Sequence, residues 1–454
     1  MIEACIKILT RTPEDWVEFS AGQNTKTNLK RFKHRNIMIS LLWQIAGYLK
    51  LVFTHLKLKP VTHDYKDILF FAVTPNQFNV LRPVAEEIEN LSYVFITSKT
   101  LANEMISVGV RSEHIEIGTK QLFQLCIVHL LRLKALFSIF ISNNKLFFLR
   151  GKSIFSVHFW IIYHLNILKE IRPRLVVVAN DHNAETRSLV EACKLMDIPT
   201  AYVQHAEVSQ RFHSLDFNIS FLHGQHSLEI YKKCDKRRSN LSSPPIKRYY
   251  CLVGSMRLKD QKNHERSTQT NNKMRMGLLI KGTDDLSDIC NYIRHLTQYG
   301  EVIIRPHPNM RFDDLKKNLN KNFTSSLFYS DPGKQSSADF LVDLNAVISG
   351  NSTMLLEAAM IGVLPVYVEK MSAGASDYYG FVENGVAVLA EDVLSISLED
   401  LKKSYNHKFE IDAIKYYIDT YGGPMFRNEP KFVSQKIFEY LEGKTEGFLS
   451  FEVQ

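Results

Sequence analysis

The chain contains no CxxC pair: its six cysteines, Cys5, Cys126, Cys193, Cys234, Cys251 and Cys290, are scattered along the sequence. This spacing argues against a thiolate zinc site or a disulfide framework, and it points to a reducing compartment. No apolar run reaches the roughly 20 residues that a membrane-spanning helix needs. Ile37 to Phe53 comes nearest and is interrupted by Gln44 and Lys50. The first residues lack the basic, apolar and small-residue order of a secretory leader, so a cytoplasmic chain is expected. Helix-turn-helix, RNP and zinc-finger patterns are missing, which disfavours nucleic acid as a partner. Nucleophile elbows of the GxSxG type, a GxxxxGK[ST] loop and a GxGxxG after the first strand are also missing. There is no Asp-x-Asp string to carry a metal-bound diphosphate. His182, His213, His223 and His226 show no metal-ligand spacing and read as ordinary polar histidines. Neither a metal nor a cofactor is expected, and no internal repeat or low-complexity tract is found.

The composition is that of a globular protein, with 45% hydrophobic and 23% charged residues. At 454 residues the chain is too long for one compact core and suits two α/β domains. The net charge of +8 is unevenly placed. Residues 119–152 carry Lys120, Arg132, Lys134, Lys145, Arg150 and Lys152 with no acidic residue, among Leu, Phe and Ile. Such a stretch suits either the surface of an anionic inner-leaflet membrane or a pair of core helices with solvated basic side chains.

Ile68 to Val73 reads as a buried strand, followed by the polar turn Thr74 to Gln77 and a helical pattern from Val80 to Leu91. Leu175 to Ala179 is a second such strand, ending at Asn180-Asp181-His182. Thr200 to Val203 is a third, ending at Gln204-His205. The stretch 257–275 is polar and reads as a linker between a first domain, 1–256, and a second, 276–395, with helices over 396–454. The second domain repeats the strand-turn-helix pattern. One strand ends at Lys281, another delivers Arg305-Pro306-His307-Pro308, and a third, Ala346 to Ile348, leads into Ser349-Gly350-Asn351-Ser352-Thr353. The expected fold class is α/β with two parallel sheets.

Ligands of open α/β sheets lie outside the carboxyl ends of the strands, so the residues there are the candidates. In the 349–353 turn, Gly350 permits close backbone approach. Ser352 and Thr353 bring hydroxyls, and a helix start brings free N–H groups, a combination suited to a phosphate. Glu357, one helical turn on, is placed to accept from ribose hydroxyls. Arg305 and His307, stiffened by Pro306 and Pro308, can donate to a phosphate, and Lys281 adds positive charge. In the first domain His205 is the candidate general base, with Asp181 and Glu207 as rivals or as groups that orient it.

Together these residues resemble the GT-B glycosyltransferases of bacterial capsule and lipopolysaccharide assembly. Arg305 to Pro308 is similar to the HP motif, and Ser349 to Thr353 to the Ser-Ser/Thr motif, of bacterial sialyltransferases that use CMP-activated sugars. The segment from Ser349 to Ala359 is similar to the wider pattern in which a glutamate, here Glu357, contacts the donor ribose. Tyr202-Val203-Gln204-His205 resembles a strand end of capsule-synthesis transferases and, more loosely, of CDP-glycerol phosphotransferases. The resemblance covers about Leu175 to Val368. It implies two Rossmann-like domains facing a central cleft, and metal-independent transfer from a nucleotide-sugar donor to a glycan or glycolipid acceptor. It also implies peripheral attachment to the inner membrane face. A CDP-polyol phosphotransferase, a UDP-sugar 2-epimerase and a non-catalytic membrane-associated scaffold are the alternatives.

Overall fold

The computed structural model describes residues 2–11, 37–56, 64–98, 101–102, 112–142, 144–180, 183–210, 212, 214–238, 247–256, 274–308, 310–323, 326–372, 374, 376–405 and 411–451. Asp181 and most of the expected linker, 257–273, lie outside them.

The first part of the chain runs α1 (Ile2–Arg11), α2 (Ile37–His55), β1 (Ile68–Ala72), α3 (Pro75–Glu86), β2 (Tyr93–Thr97), β3 (Ser112–His114), α4 (Thr119–Ser142) and α5 (Asn144–Ile171). It continues with β4 (Leu175–Val178), α6 (Ala184–Leu195), β5 (Thr200–Val203), β6 (Ile219–Leu222), α7 (Gln225–Arg238) and β7 (Arg248–Leu252). Strands β1, β4, β5 and β6 are buried at every residue, as expected of a parallel sheet covered on both faces. The helix after β1 begins earlier than its apolar pattern suggests. Pro75 occupies the first turn, where a missing N–H costs nothing, and the Thr74 side chain caps the Gln77 N–H.

The second part runs β8 (Met274–Ile280), α8 (Leu286–Leu296), β9 (Gly300–Pro306), α9 (Phe312–Asn320), β10 (Phe328–Tyr329), α10 (Ser337–Val342) and β11 (Ala346–Ser349). Then follow α11 (Met354–Met360), β12 (Leu364–Val368), β13 (Val388–Ala390), α12 (Leu398–Tyr405), α13 (Ile411–Tyr417), α14 (Glu429–Leu441) and β14 (Leu449–Phe451). Six of its strands form the second sheet, in the order β10-β9-β8-β11-β12-β13, all parallel. The first sheet has the order β14-β7-β6-β5-β4-β1-β2-β3. In each sheet the chain moves outward one way, then returns to the middle and moves out the other way. This places a switch point between β1 and β4 and another between β8 and β11.

Alternation along the strands divides each sheet's core in two. Leu69, Phe71, Val176 and Val178 face α5, whose Phe159, Trp160 and Ile161 are buried, while Phe70 and Val177 face α3. In the second sheet Leu278 and Ile304 pack with Ile289 and Ile293 of α8, and Val347 and Tyr367 pack with Leu355 of α11. Gly277 lets Leu344 and Phe340 pack close against β8, since a Cβ there would come within 2.7 Å of the ends of both side chains, which would have to shift.

The end of the chain returns to the first sheet. Val433 and Ile437 of α14 join the core beneath β1, and Ser434 Oγ donates to the Glu87 carbonyl at 2.8 Å. Strand β14 pairs antiparallel with β7. On the way back α13 docks on the first domain. The Tyr416 hydroxyl donates to Glu229 at 2.8 Å, and the Asp419 N–H donates to the His223 carbonyl at 2.9 Å. Gly224 permits this crossing, since a Cβ would lie 2.5 Å from the Tyr417 carbonyl oxygen.

Among the described residues no helix is long and apolar enough to cross a membrane. Helix α4 exposes Phe123, Leu130 and Leu131 beside Lys120 and Lys134, and α2 exposes Leu42, Trp43, Leu49 and Phe53.

Candidate active site

The turn after β5 is built on Gln204, which is buried. Its amide nitrogen donates to the Ala206 carbonyl and to Ser227 Oγ, each at 2.9 Å, and its amide oxygen accepts from the His223 N–H at 2.9 Å. These bonds join the ends of β5 and β6. They bring His205 and Glu207 to the same place as His223, the first residue after β6.

Glu207 and His223 form a buried pair, 4% and 5% exposed. His223 Nδ1 lies 2.8 Å from Glu207 Oε1, and Nε2 lies 3.1 Å from the Gln204 carbonyl oxygen. A carbonyl can only accept, so Nε2 carries a hydrogen. A second hydrogen therefore lies between Nδ1 and the carboxylate. Such a pair is costly to bury unless its remaining polar atoms are engaged. Glu207 Oε2 is buried and has no hydrogen-bond partner in the described structure.

On the other side, the second sheet's switch point is closed by Lys281. Its ammonium donates to the Asn351 carbonyl, linking the ends of β8 and β11, and burial lowers its pKa. The Asn351 side chain is engaged at both ends. It donates to the Ser372 carbonyl at 3.0 Å and accepts from the Tyr378 N–H at 2.8 Å. Gly350 is needed because a Cβ would stand 2.1 Å from the Met371 carbonyl oxygen, so the close backbone approach expected there is made by the chain itself. Ser349 is fully buried, and the Ser352 hydroxyl accepts from the Met354 N–H at 3.4 Å.

Arg305 points inward. It donates to Ser330 Oγ and, at 2.9 Å, to the Gln335 carbonyl, and its guanidinium lies 5.0 Å from the centre of the Phe340 ring. Burial lowers its pKa, and the charges of Glu357 and Asp331 oppose that shift. His307 and Pro308 are exposed beyond β9, with the His307 N–H joined to the Ile280 carbonyl at 2.8 Å.

A cleft of about 590 Å³ lies between the two domains. His205, Glu207, His223, Ser255 and Met256 line it from the first domain, and Ser336, Ser337, Thr353, Leu356, Glu357 and Met360 from the second. The structure thus brings together His205, Glu207, Thr353 and Glu357 from the sequence-derived set. Lys281, Arg305, Ser349, Gly350, Asn351 and Ser352 build the turn and the supports behind them.

Helix α3 adds Asn76, Asn79, Arg82 and Glu86 to the lining, with Arg82 and Glu86 paired at 2.6 Å. Sequence reasoning missed this row, although its spacing of three to four residues, opposite the buried Phe78, Leu81 and Val84, marks it as the polar face of a helix. It also took His223 for an ordinary polar histidine. Among the described residues no group of three or more His, Cys, Asp or Glu side chains comes together as a metal site would need.

No protein-family model matches the chain, and no curated protein matches it. Solved structures do. A Staphylococcus aureus MnaA co-structure with UDP aligns over 83% of this chain and 97% of that one, at 11% identity and a TM-score of 0.51. The UDP-GlcNAc 2-epimerase of Neisseria meningitidis bound to UDP-GlcNAc aligns over 82% and 99%, at 12% identity and a TM-score of 0.51. Likeness at this identity speaks for the fold, which is the GT-B arrangement of two Rossmann-like domains.

Proposed function

We propose that the chain is a metal-independent, inverting glycosyltransferase that moves a sugar from a nucleotide donor to a glycan or glycolipid acceptor. The observation that carries the reading is the cleft itself, where a carboxylate and histidines at the strand ends of one domain face Thr353 and Glu357 of the other. In this reading the donor nucleotide lies at the second sheet's switch point. Glu357 takes the ribose, and Thr353 and Ser352, with Lys281, His307 and Pro308 nearby, take the phosphate. Arg305, Ser349, Gly350 and Asn351 shape the turn. The acceptor hydroxyl gives its proton to a base drawn from His205, Glu207 and Asp181. Its oxygen bonds to the anomeric carbon as the bond to the phosphate oxygen breaks, and that electron pair leaves with the nucleotide. A CMP-activated ulosonic acid, such as sialic acid or Kdo, is the first donor to try.

Peripheral contact with an anionic membrane through residues 119–152 belongs to the same proposal. It is supported by Lys120 and Lys134 standing beside exposed Phe123, Leu130 and Leu131.

Thermal-shift measurement with CMP, CDP, UMP, UDP and GDP tests the nucleotide site, because a ligand that binds only the folded chain raises its melting temperature. The expected result is stabilisation by a cytidine nucleotide, followed by acceptor-dependent turnover. Five flat curves would sink the reading. UDP is on the panel because it is named for a structure of the same fold. Turnover of a UDP-sugar without acceptor would make the chain a 2-epimerase, and phosphate in the product linkage would make it a polyol phosphotransferase. Binding without turnover of any donor would leave a scaffold.

A further inference from the structure

We propose that Glu207 presents the proton-accepting oxygen of the cleft and that His223 is the positioning residue that holds it there. The inference rests on the transferase reading above and selects among the bases that reading leaves open.

His223 is fixed at three points. Its N–H donates to the Gln204 side chain, its Nε2 to the Gln204 carbonyl, and its Nδ1 faces Glu207 Oε1. A ring held in this way offers Nδ1 in one direction, so Glu207 is held through Oε1, and its second oxygen, though buried, is left without a donor. Oε2 has no hydrogen-bond partner in the described structure, although Glu207 is nine-tenths buried and lines the cleft. A buried carboxylate oxygen without a donor is unfavourable in an apolar setting, so a donor that reaches it from the cleft has a strong claim on it. An acceptor hydroxyl is such a donor. In the reaction its O–H bond breaks toward Oε2, its oxygen bonds to the anomeric carbon, and the nucleotide phosphate leaves with the electron pair of the broken glycosyl bond.

Among the described residues, titratable groups that feel the charge of Glu207 include His226 on α7 and, from the second domain, Tyr379 and Tyr417. Burial lowers the pKa of His226 and raises those of both tyrosines, which keeps all three uncharged near neutrality. Among these neighbours His223 is the one in hydrogen-bond contact with the carboxylate.

The test is a double-mutant cycle on the full chain with the donor and acceptor that support turnover. E207Q and H223A should each lower kcat roughly a hundredfold with the donor KM unchanged. The double variant E207Q/H223A should be no slower than E207Q, because His223 acts through Glu207. H223N, which keeps an N–H near the position of Nδ1, should recover at least about tenfold over H223A. Multiplying losses in the double variant, or H223A at the wild-type rate, would overturn the proposal. A second measurement needs no turnover. Long-range ¹⁵N–¹H correlation of the labelled histidines should show His223 with Nε2 protonated, and its Nδ1 signal should move in E207Q. An unprotonated Nε2, or a pattern indifferent to E207Q, overturns the pairing. A folded wild-type chain that turns over no donor sinks the transferase reading and with it the base role, while the NMR pattern still decides whether His223 holds Glu207.

Discussion

Arg305 Nη2 donates to the carbonyl of Gln335 at 2.9 Å, so the arginine of the Arg-Pro-His-Pro string braces the loop that carries Ser336 and Ser337 to the cleft. A residue that looks like a phosphate ligand in sequence is a post for a neighbouring loop in the fold. Its charge still acts at the site, because Glu357 lies within its field.

Replacing that post should cost stability. R305A leaves the Gln335 carbonyl and Ser330 without their donor, and a loss of about 2–4 kcal/mol is expected from unpaired buried polar groups. R305K should recover only part, since an ammonium cannot span both partners in the plane of a guanidinium. Denaturant titration checks the order: wild type, then R305K, then R305A. Equal stability of all three would remove the bracing role.

At Gly350 the expected effect is steric. A methyl group there meets the Met371 carbonyl at 2.1 Å, and overpacking of this kind typically costs about 1–3 kcal/mol. G350A should lower the melting temperature and weaken nucleotide binding together, because the turn must move. A G350A chain as stable as the wild type would mean that the segment around Met371 yields freely.

Glu357 gives a separable outcome. E357Q keeps the shape of the side chain and should weaken ribonucleotide binding by roughly tenfold, the size of one charged hydrogen bond. The same nucleotide without its ribose hydroxyls should bind both forms equally. If the variant loses affinity for both, Glu357 does not read the ribose.

The histidines under the first sheet predict acid sensitivity. His164 is fully buried between Phe71 and Trp160, its Nε2 donates to the Glu185 carbonyl at 3.0 Å, and burial lowers its pKa to about 3. The unfolded chain takes up this proton near the ordinary value of 6.5, while the native chain holds out until about 3. Between those values the unfolded state binds more protons. The stability from a neutral His164 is therefore fully present above about pH 6.5 and declines as pH falls, by up to roughly 1.4 kcal/mol per pH unit. His158, also lowered to about 3 by burial, adds to the same slope. Urea midpoints from pH 7 to 5 should fall, and H164Q should flatten the curve. An H164Q slope equal to the wild-type slope would assign the effect to other groups.

Membrane contact is checked by co-sedimentation with vesicles. Binding to vesicles containing anionic lipid should exceed binding to neutral ones and fall with salt, and K120E/K134E should reduce it by about 2 kcal/mol or more, near 1 kcal/mol for each charge removed. Equal sedimentation with neutral and anionic vesicles would count against residues 119–152 as the contact.

The parallel strands were legible in sequence because β1, β4 and the stretches Met276–Ile280 of β8 and Ala346–Ile348 of β11 are buried on both faces and read as apolar runs between polar segments. The start of α3 was less so, since Thr74-Pro75 serves equally as a turn and as a cap with proline in the first helical turn. The switch-point turn at 349–353 could be found, but its internal wiring could not. That Asn351 reaches Ser372 and Tyr378 depends on where the loop after β12 returns, which no local pattern records. The Glu207–His223 pair was hidden for the same reason. The two residues stand 16 positions apart and meet only because β6 lies beside β5. The direction of Arg305 was likewise set by β10 and the loop after it.

The return of the last helix and strand to the first sheet bears on how the protein is made. Val433 and Ile437 complete a core, and β14 a sheet, that begin with Ile68, so the first domain cannot reach its final form until residues 429–451 have left the ribosome. Contacts of such long sequence separation close late and slowly. Meanwhile the second sheet, whose strands all fall between Met274 and Ala390, has every strand it needs. During synthesis the later domain is thus free to finish before the earlier one.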